Sequence, residues 1–324
     1  MVTTLDYDDY VGRIAIGRVI RGKATNGQQV LVLNGEVQRK AKLGRLYTYQ
    51  GLKRTEVQDV ALGDIVAITG LDDVNIGETI ADTENPEALP TIDIDEPTLA
   101  MTFSVNNSPL AGREGQFITT RHLRDRLFRE VETNVSLKVR ETESADTFEV
   151  SGRGELHLSI LIETMRREGF EFQVGKPEVI YKTINGQHLF HGYAPYKGDI
   201  PGRSRGALVA FEAGETTGYG IFGVQERGTL FIVPGQTVYE GSIIGENTRE
   251  MDMDVNPCKK KNVTNMRTSA SDEALRLTAP RILSLEQALE YINKDELVEV
   301  TPKSIRLRKA ILSRTLRGRE RKNG

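Results

Sequence analysis

The sequence has 324 residues, enough for two or three domains that each bury their own core, so a single compact unit is not expected. The single cysteine, Cys258, excludes an internal disulfide and favours a reducing cytoplasm, and the lack of a basic start or a long apolar run disfavours secretion and membrane insertion. The net charge of −3 divides into +8 for residues 258–324 and −11 for the rest, which predicts a polyanion-binding C-terminal part; the alternative is a solvated basic tail.

Residues 1–90 are predicted to form short strands separated by glycine and polar turns. Apolar and polar residues alternate over 13–16 and 29–32, and no helix of any length is expected. This pattern favours a small antiparallel β-barrel. Residues 85–97 contain three prolines and several acids, which indicates an extended connector and a domain boundary.

Residues 97–185 are predicted to form an α+β domain. The expected order is a strand over 99–105, a helix over 115–133, strands over 135–140 and 147–150, a helix from Glu155 to Gly169 and a strand over 170–174. This order is typical of the ferredoxin-like split βαβ unit. On the second helix, the side chains expected to face the sheet are Leu156, Ile160, Leu161 and Met165.

The run SGRGELH over residues 151–157, between a predicted strand and a predicted helix, resembles the third domain of translational GTPases of the elongation factor G type. The segments LDYDDYVGRIAIGRVIRGK and ALGDIVAITGL resemble the second, β-barrel domain of the same proteins. Among these proteins the sequence is most similar to the BipA/TypA family. The resemblance implies that GTP and Mg²⁺ bind to a GTPase domain outside these 324 residues, because they contain no G-x-x-x-x-G-K-[ST] loop. No catalytic residue, cofactor site or metal ligand is therefore predicted here.

Residues 188–324 resemble the C-terminal RNA-binding domain of that family. The resemblance implies a further α/β domain between residues 187 and 188, which the sequence lacks. Short strands are predicted over 206–212, 219–225, 229–233 and 237–245. A single helix is predicted from Ser284 to Ile292, since Ser284 and Gln287 form a capping-box pattern. The expected domain is mixed and mostly β.

Three other patterns carry little functional weight. Residues 218–223 match G-x-G-x-x-G, but within a β-patterned region they favour strand glycines over a dinucleotide site. His157 lies near Glu155 without a recognisable catalytic partner, and the four histidines and one cysteine lack zinc-ligand spacing. Residues 293–295 resemble a guanine-specifying NKxD with the aspartate one position early, and are better explained as a helix end.

The polar segment 256–267 is predicted to be an exposed RNA-binding loop. Lysines suit phosphates, whereas asparagine and threonine can bond sugars and base edges. The candidate residues are Lys259, Lys260, Lys261, Asn262, Thr264, Asn265 and Arg267. The family resemblance implies that this loop reaches toward the peptidyl-transferase centre and the acceptor end of an A-site tRNA. An idle flexible loop is the alternative.

The segment 301–309 is a second basic candidate. Ile305 and Leu307 alternate with two arginines, so a strand would bury the apolar pair and project both guanidinium groups outward. The candidate RNA-binding residues are Lys303, Arg306, Arg308 and Lys309. A charged edge strand that resists aggregation is the alternative.

The resemblance implies the ribosome-binding portion of a BipA/TypA translational GTPase, catalytically inert by itself. Its partners would be ribosomal RNA, ribosomal proteins and A-site tRNA, and its role would lie in large-subunit assembly and stress-dependent translation. We expect a cytoplasmic, ribosome-associated monomer without membrane contact. A fragment of another translational GTPase, such as LepA or elongation factor G, is one alternative, and a self-contained enzyme with an unrecognised site is another.

These 324 residues are predicted to bind neither GTP nor GDP, because they contain no phosphate-cradling loop. Calorimetric titration with each nucleotide should give no heat of binding. Stoichiometric micromolar binding would contradict the prediction and direct attention to residues 218–223.

Overall fold

A computed structural model describes residues 1–35, 37–51, 53–91, 96–184, 187–190, 194–195, 203–261 and 276–323. The chain divides into two compact units, Met1–Pro97 with Asp125–Val139, and Thr98–Arg124 with Arg140–Gly324. The finer division into 1–90, 97–185 and 188–324 stays a prediction. Among the described residues, no helix is long and apolar enough to cross a lipid bilayer.

The first unit consists mainly of short strands, as predicted. They are β1 Val2–Asp8, β2 Gly12–Arg18, β3 Lys23–Thr25, β4 Gln29–Asn34, β5 Val37–Lys42, β6 Leu46–Gln50, β7 Lys53–Val57, β8 Asp59–Ala61, β9 Ile65–Ile68 and β10 Thr79–Ala81. They form three sheets in the orders β1-β2-β9-β6-β7, β10-β4-β5 and β3-β8. None of these described sheets closes on itself, so the predicted small antiparallel β-barrel stays a prediction for this part of the chain.

One apolar core holds the first unit together. The alternation over 29–32 buries Val30 and Val32, which join Leu46 and Val66 in a single cluster. Beside this core, Gly44 lets its backbone approach the backbone of Thr69 closely. The Gly44 N–H donates to Thr69 O at 2.7 Å, and a Cβ on residue 44 would lie 2.7 Å from the same oxygen. The alternation over 29–32 therefore predicts the buried face correctly, whereas over 13–16 the adjacent Ile14 and Ala15 are both buried and Ile16 is only partly buried.

The second unit begins with the predicted order of strands and helices. Its elements are β11 Leu99–Val105, α1 Thr120–Thr133, β12 Lys138–Glu141, β13 Thr147–Gly152, α2 Glu155–Arg167, β14 Phe172–Val174, β15 Glu178–Val179 and β16 Tyr181–Ile184, with α1 and β12 divided between the two units. The strand order is β12-β13-β11-β14, and β11 is antiparallel to both β13 and β14.

The rest of the second unit extends the same sheet. The elements are β17 Gln187–Phe190, β18 Ala194–Pro195, β19 Ala207–Ala210, β20 Gly214–Glu215, α3 Gly218–Gln225, β21 Gly228–Leu230, β22 Thr237–Val238, β23 Ser242–Asn247, β24 Met253–Val255, α4 Leu285–Tyr291, β25 Glu296–Val300, β26 Ile305–Lys309 and α5 Arg314–Asn323. From β14 the sheet continues in the order β25-β26-β23-β19-β24, with β15 paired to β11 and β21 to β23. All described pairs in it are antiparallel except β19 with β24.

Two expectations about the C-terminal part are wrong. A strand was predicted over 219–225, but the structure has helix α3 there. A single helix was predicted in this part, but its described residues form three, α3, α4 and α5. The predicted helix from Ser284 is confirmed as α4, and the Ser284 and Gln287 side chains form both bonds of the capping box. At the expected site of a further domain, β16 and β17 pair antiparallel, with Ile184 opposite Gln187.

The inward face of α2 differs from the prediction. Leu161 and Met165 are buried as expected, but Leu156 is 70% exposed and Ile160 is 57% exposed. The sheet-facing side instead contains Leu158 and Ile162, which continue the 3.6-residue period through Leu161 and Met165. Leu156 and Ile160 lie two positions from Leu158, about 200° around the helix, and so face away.

Leu161→Ala should lower the free energy of unfolding by about 2 to 5 kcal/mol, because it removes a buried side chain from the sheet-facing side of α2. Leu156→Ala is the matched control on the same helix, and we expect a change below about 0.5 kcal/mol. Urea denaturation of both variants measures the difference. Equal effects would contradict this orientation of the helix.

Candidate nucleic-acid interface

Helix α3 anchors the start of the predicted RNA-binding loop. The Thr217 backbone N–H donates to Pro257 O at 3.0 Å, and the Thr217 hydroxyl donates to Lys259 O at 2.5 Å. The Asn256 side chain donates to Glu212 at 2.6 Å and accepts from the Cys258 N–H at 2.9 Å. Residues 256–259 are therefore fixed in place by short hydrogen bonds.

Helix α3 is rich in glycine, and it forms because a capping residue and tertiary packing stabilise it. Thr217 caps the first turn by accepting from the Gly220 N–H at 2.9 Å, and Ile221 and Val224 are buried one turn apart. A Cβ on Gly220 would lie 2.1 Å from Pro257 O, so only glycine allows this close approach. The packing of residue 257 against α3 is a tertiary contact that a strand pattern does not reveal.

The far end of the same helix holds the chain where it returns from the loop. The Gln225 side chain donates to Arg276 O at 3.1 Å and accepts from the Thr278 N–H at 3.0 Å. The described residues before and after 262–275 are thus both bonded to α3 or its cap. The candidates Asn262, Thr264, Asn265 and Arg267 lie outside the described residues.

The three consecutive lysines are the exposed cations of this site. Lys259, Lys260 and Lys261 are all exposed next to the anchored residues. Burial raises the pKa of the neighbouring Cys258 thiol, and the charge of Glu212 adds to the rise. The site therefore offers ammonium groups to an anionic partner and keeps its thiol protonated.

The second basic segment is arranged differently from the prediction. Lys303 is exposed, but Arg308 is only 2% exposed and Lys309 only 1% exposed, and Arg306 is partly buried. The predicted outward projection of Arg306 and Arg308 is wrong, because β26 is an interior strand between β25 and β23. The adjacent Leu307 and Arg308 point to opposite faces of β26 and are both buried, so both faces of the strand are covered at this point.

Glu299, fully buried on β25, lies among the arginines of β26. Its carboxylate is 3.5 Å from Arg306 Nη1 and 3.9 Å from Arg308 Nε, and it accepts a hydrogen bond from the Tyr239 hydroxyl. Burial raises the pKa of Glu299, and the two arginine charges oppose this rise. The carboxylate therefore offsets the positive charge of the two guanidinium groups inside the protein.

The outer ends of the two guanidinium groups also have partners. Arg306 pairs with Glu114, and Arg308 donates to the side-chain oxygens of Asn107 and Gln173. Burial alone would raise the pKa of Glu114, but hydrogen bonds from Thr301 and the charge of Arg306 lower it. These contacts connect β26 to the loop after β11 and to β14.

Lys309 lies within a cage of three carboxylates. Its Nζ is 2.6 Å from Asp252, 2.7 Å from Asp295 and 2.6 Å from Glu296. Arg203 pairs with the same Glu296 at 2.6 Å. Burial opposes the charge, yet Glu296 and the hydrogen bonds raise the pKa of Lys309. Three convergent carboxylates could hold a metal ion, but the ammonium group occupies their centre.

The sequence contains a signal for these pairs that the strand pattern alone misses. In the antiparallel hairpin of β25 and β26, Glu299 is directly opposite Arg306 and Glu296 is directly opposite Lys309. Opposite charges facing one another across neighbouring strands favour pairing. Aligning ELVEV with IRLRK about the turn at Pro302 would therefore have predicted internal neutralisation.

The basic C-terminal tail is also partly paired internally. Arg317 contacts Asp254 at 2.8 Å and is almost buried, and Arg314 contacts the same carboxylate at 3.1 Å. Arg319 is exposed on α5. The positive charge of residues 258–324 thus overstates the number of cations available to a partner.

The glycine motif and His157 have local roles. The backbone of residues 257–259 packs against the first turn of α3, where a dinucleotide pyrophosphate would have to bind. His157 Nδ1 accepts from the Arg153 N–H at 3.3 Å, which fastens the turn before α2. Both observations favour structural explanations.

Comparisons with known proteins assign domains to both ends of the sequence. Residues 12–81 match elongation factor Tu domain 2, and residues 205–314 match the TypA/BipA C-terminal domain. The chain is 45% identical, over 95% of its length, to the large ribosomal subunit assembly factor BipA of Synechocystis. It is 42% identical to that of Bacillus subtilis and 41% identical to that of Escherichia coli K12, in each case over 98% of its length.

The chain spans 64% of the length of these curated relatives. Its two matched domains define a protein built from translation-factor domains. Together with the identity to the BipA relatives over most of the chain, they show that it belongs to the TypA/BipA family.

Lys309→Met should lower the free energy of unfolding by about 3 to 5 kcal/mol, because it leaves three carboxylates without their ammonium partner. At pH 7 the contribution is complete. The lowered pKa of Asp252 stabilises the fold above about pH 3.9 and the raised pKa of Lys309 stabilises it below about pH 10.4. Urea denaturation measures the loss. The exposed Lys303→Met is the control, and equal small effects would contradict the cage.

Proposed function

We propose that this chain is the ribosome-binding portion of a BipA/TypA translational GTPase and that it acts in large-subunit assembly and stress-dependent translation. Lys259, Lys260 and Lys261 bind the phosphates of ribosomal RNA or of A-site tRNA. The protein acts in the cytoplasm in association with the ribosome. The observation that carries this proposal is the exposed lysine run fixed on α3 within the region that matches the TypA/BipA C-terminal domain.

The names of the relatives support the ribosome as the partner, since each is called a large ribosomal subunit assembly factor. Phosphate contacts supply most sequence-independent nucleic-acid affinity. Adjacent ammonium groups on an anchored backbone suit that role. The buried Arg308 and Lys309 and the partly buried Arg306, which pairs with Glu114, are excluded from the proposed contact surface, and Lys303 stays a candidate.

The domain assignment extends this proposal. The strands of residues 1–90 correspond to the β-barrel domain of translational GTPases, and residues 97–185 to their ferredoxin-like domain. The strand order β12-β13-β11-β14 supports the second assignment. Alignments to the Bacillus subtilis and Escherichia coli K12 relatives run over 389 and 391 positions, more than the 324 residues of the chain, so the relatives contain residues in the aligned range that this chain lacks. A family α/β domain after Gln187 would account for the difference.

In the intact family member, GTP and Mg²⁺ would bind on a separate GTPase domain, and this portion would have no catalytic role.

The alternative that this chain is a self-contained enzyme has weaker support. The first unit has a cavity of about 360 Å³ lined in part by Val30, Val66, Arg18 and Arg21. In the second unit burial raises the pKa of Tyr291, and pairing with Glu296 raises the pKa of Arg203 against the effect of burial.

Replacing Lys259, Lys260 and Lys261 by alanine should weaken binding to large ribosomal subunits and flatten its salt dependence. The slope of log affinity against log salt should change by about 0.7 for each lost single-strand phosphate contact, or about 2 for all three. Sedimentation binding assays over a range of salt concentrations measure both quantities.

The matched control replaces the same three lysines by arginine, which retains the charge, and it should retain the slope. Thermal unfolding of both variants checks the fold, which exposed lysines stabilise little. An alanine variant with unchanged affinity and slope would make this segment a passive connector, and the proposed contact would be wrong.

A further inference from the structure

Two aromatic rings lie exposed on the outer side of α3. Tyr219 is 39% exposed and Phe222 is 38% exposed, whereas Ile221 and Val224 on the opposite side are buried. Residues three positions apart in a helix are neighbours on its surface. The rings therefore form a small apolar patch on a helix whose inner side already packs against the core.

Glycines leave the backbone beside these rings uncovered. A Cβ on Gly218 or Gly223 would meet no described atom within 4 Å, so neither glycine is required by close packing in this part of the chain. Glycine inside a helix costs about 0.5 to 1 kcal/mol relative to alanine. The result is a low surface around the rings, which a flat molecule can approach closely.

The backbone of cationic residues is bonded at both ends of α3. The Lys259 carbonyl is bonded to Thr217 at the start of α3, and the Arg276 carbonyl is bonded to Gln225 at its last residue. Lys259, Lys260 and Arg276 are exposed. A helix of eight residues is about 12 Å long, so a strand of about four nucleotides, at roughly 3.4 Å each, would span it from end to end.

We propose that Tyr219 and Phe222 form a stacking platform for unpaired nucleotide bases, with Lys259, Lys260 and Arg276 holding the adjoining phosphates. This inference rests on the proposed function and adds to it the form of RNA that the site takes. Single-stranded RNA presents flat bases to aromatic side chains and its phosphates to cations. A base-paired duplex conceals its base faces and would use only the cations.

Charge favours RNA over an apolar protein segment as the partner. A protein partner for two half-exposed rings would gain little from cations at both ends of the helix. An unpaired nucleotide strand satisfies both features, since it alternates apolar faces with negative charges. The uncovered glycines suit a planar base better than a branched side chain that fills grooves.

The sequence contains no tryptophan, so Phe222→Trp introduces a single fluorescent reporter. Stacking of a base on the indole should quench its emission when a short single-stranded oligoadenylate binds. Inorganic polyphosphate, which has charge but no bases, should leave the emission nearly unchanged. Tyr10→Trp is the control, because Tyr10 is 97% exposed beside Asp8 and Asp9, and oligoadenylate should not quench it.

Replacing Tyr219 and Phe222 together by leucine should weaken oligoadenylate binding by about 5- to 150-fold, the equivalent of one stacked base, and leave the salt slope unchanged. The alanine variant of the three lysines should instead have a reduced salt slope. Thermal unfolding confirms that the leucine variant is folded.

The two proposals fail in different ways. If the leucine variant lost ribosome binding while oligoadenylate failed to quench the Phe222→Trp variant, the rings would make a protein contact, and the stacking platform alone would be overturned. Equal quenching by oligoadenylate and polyphosphate would also overturn it. If the lysine variant bound ribosomes and RNA like the unaltered chain, the proposed function itself would be wrong.

Discussion

Neutralisation of buried charge inside one continuous sheet is the constraint on which the second unit depends. Strand β26 lies between β25 and β23 and brings Arg306, Arg308 and Lys309 into the interior. Isolated ions are costly to bury, so each needs a carboxylate or amide partner. Because Glu299 and Glu296 on β25 supply them in register, the same hairpin that creates the charge problem resolves it.

The same network connects segments that are far apart in sequence. Arg306 contacts Glu114 in the loop after β11, Arg308 contacts Gln173 on β14, and Lys309 contacts Asp252 beside β24. Directional hydrogen bonds between charged groups fix geometry more strictly than apolar packing does. The network thereby ties together the sheet of the second unit, the same unit in which Thr217, the cap of α3, bonds the backbone at Pro257 and Lys259.

Local signals in the sequence were sufficient for some elements and insufficient for others. The start of α2 at Glu155 and the capping box at Ser284 depend on neighbouring residues, and both were predicted. Helix α3 was missed because its formation depends on the approach of Pro257 to Gly220, a contact across 37 positions in the chain. The orientation of Arg308 was wrong because alternation shows which residues share a face but not whether a second layer covers it.

The candidate site could be predicted only where the composition of a segment determines whether its side chains are exposed to solvent. A run of three lysines next to polar residues has no apolar side to bury, so Lys259 to Lys261 were placed on the surface correctly. Net charge could not separate them from the lysine and arginines of β26, since both groups add equally to the total of residues 258–324. What distinguishes the two groups is pairing across the hairpin. A basic stretch therefore predicts an anionic partner only after the carboxylates that face it within the fold have been accounted for.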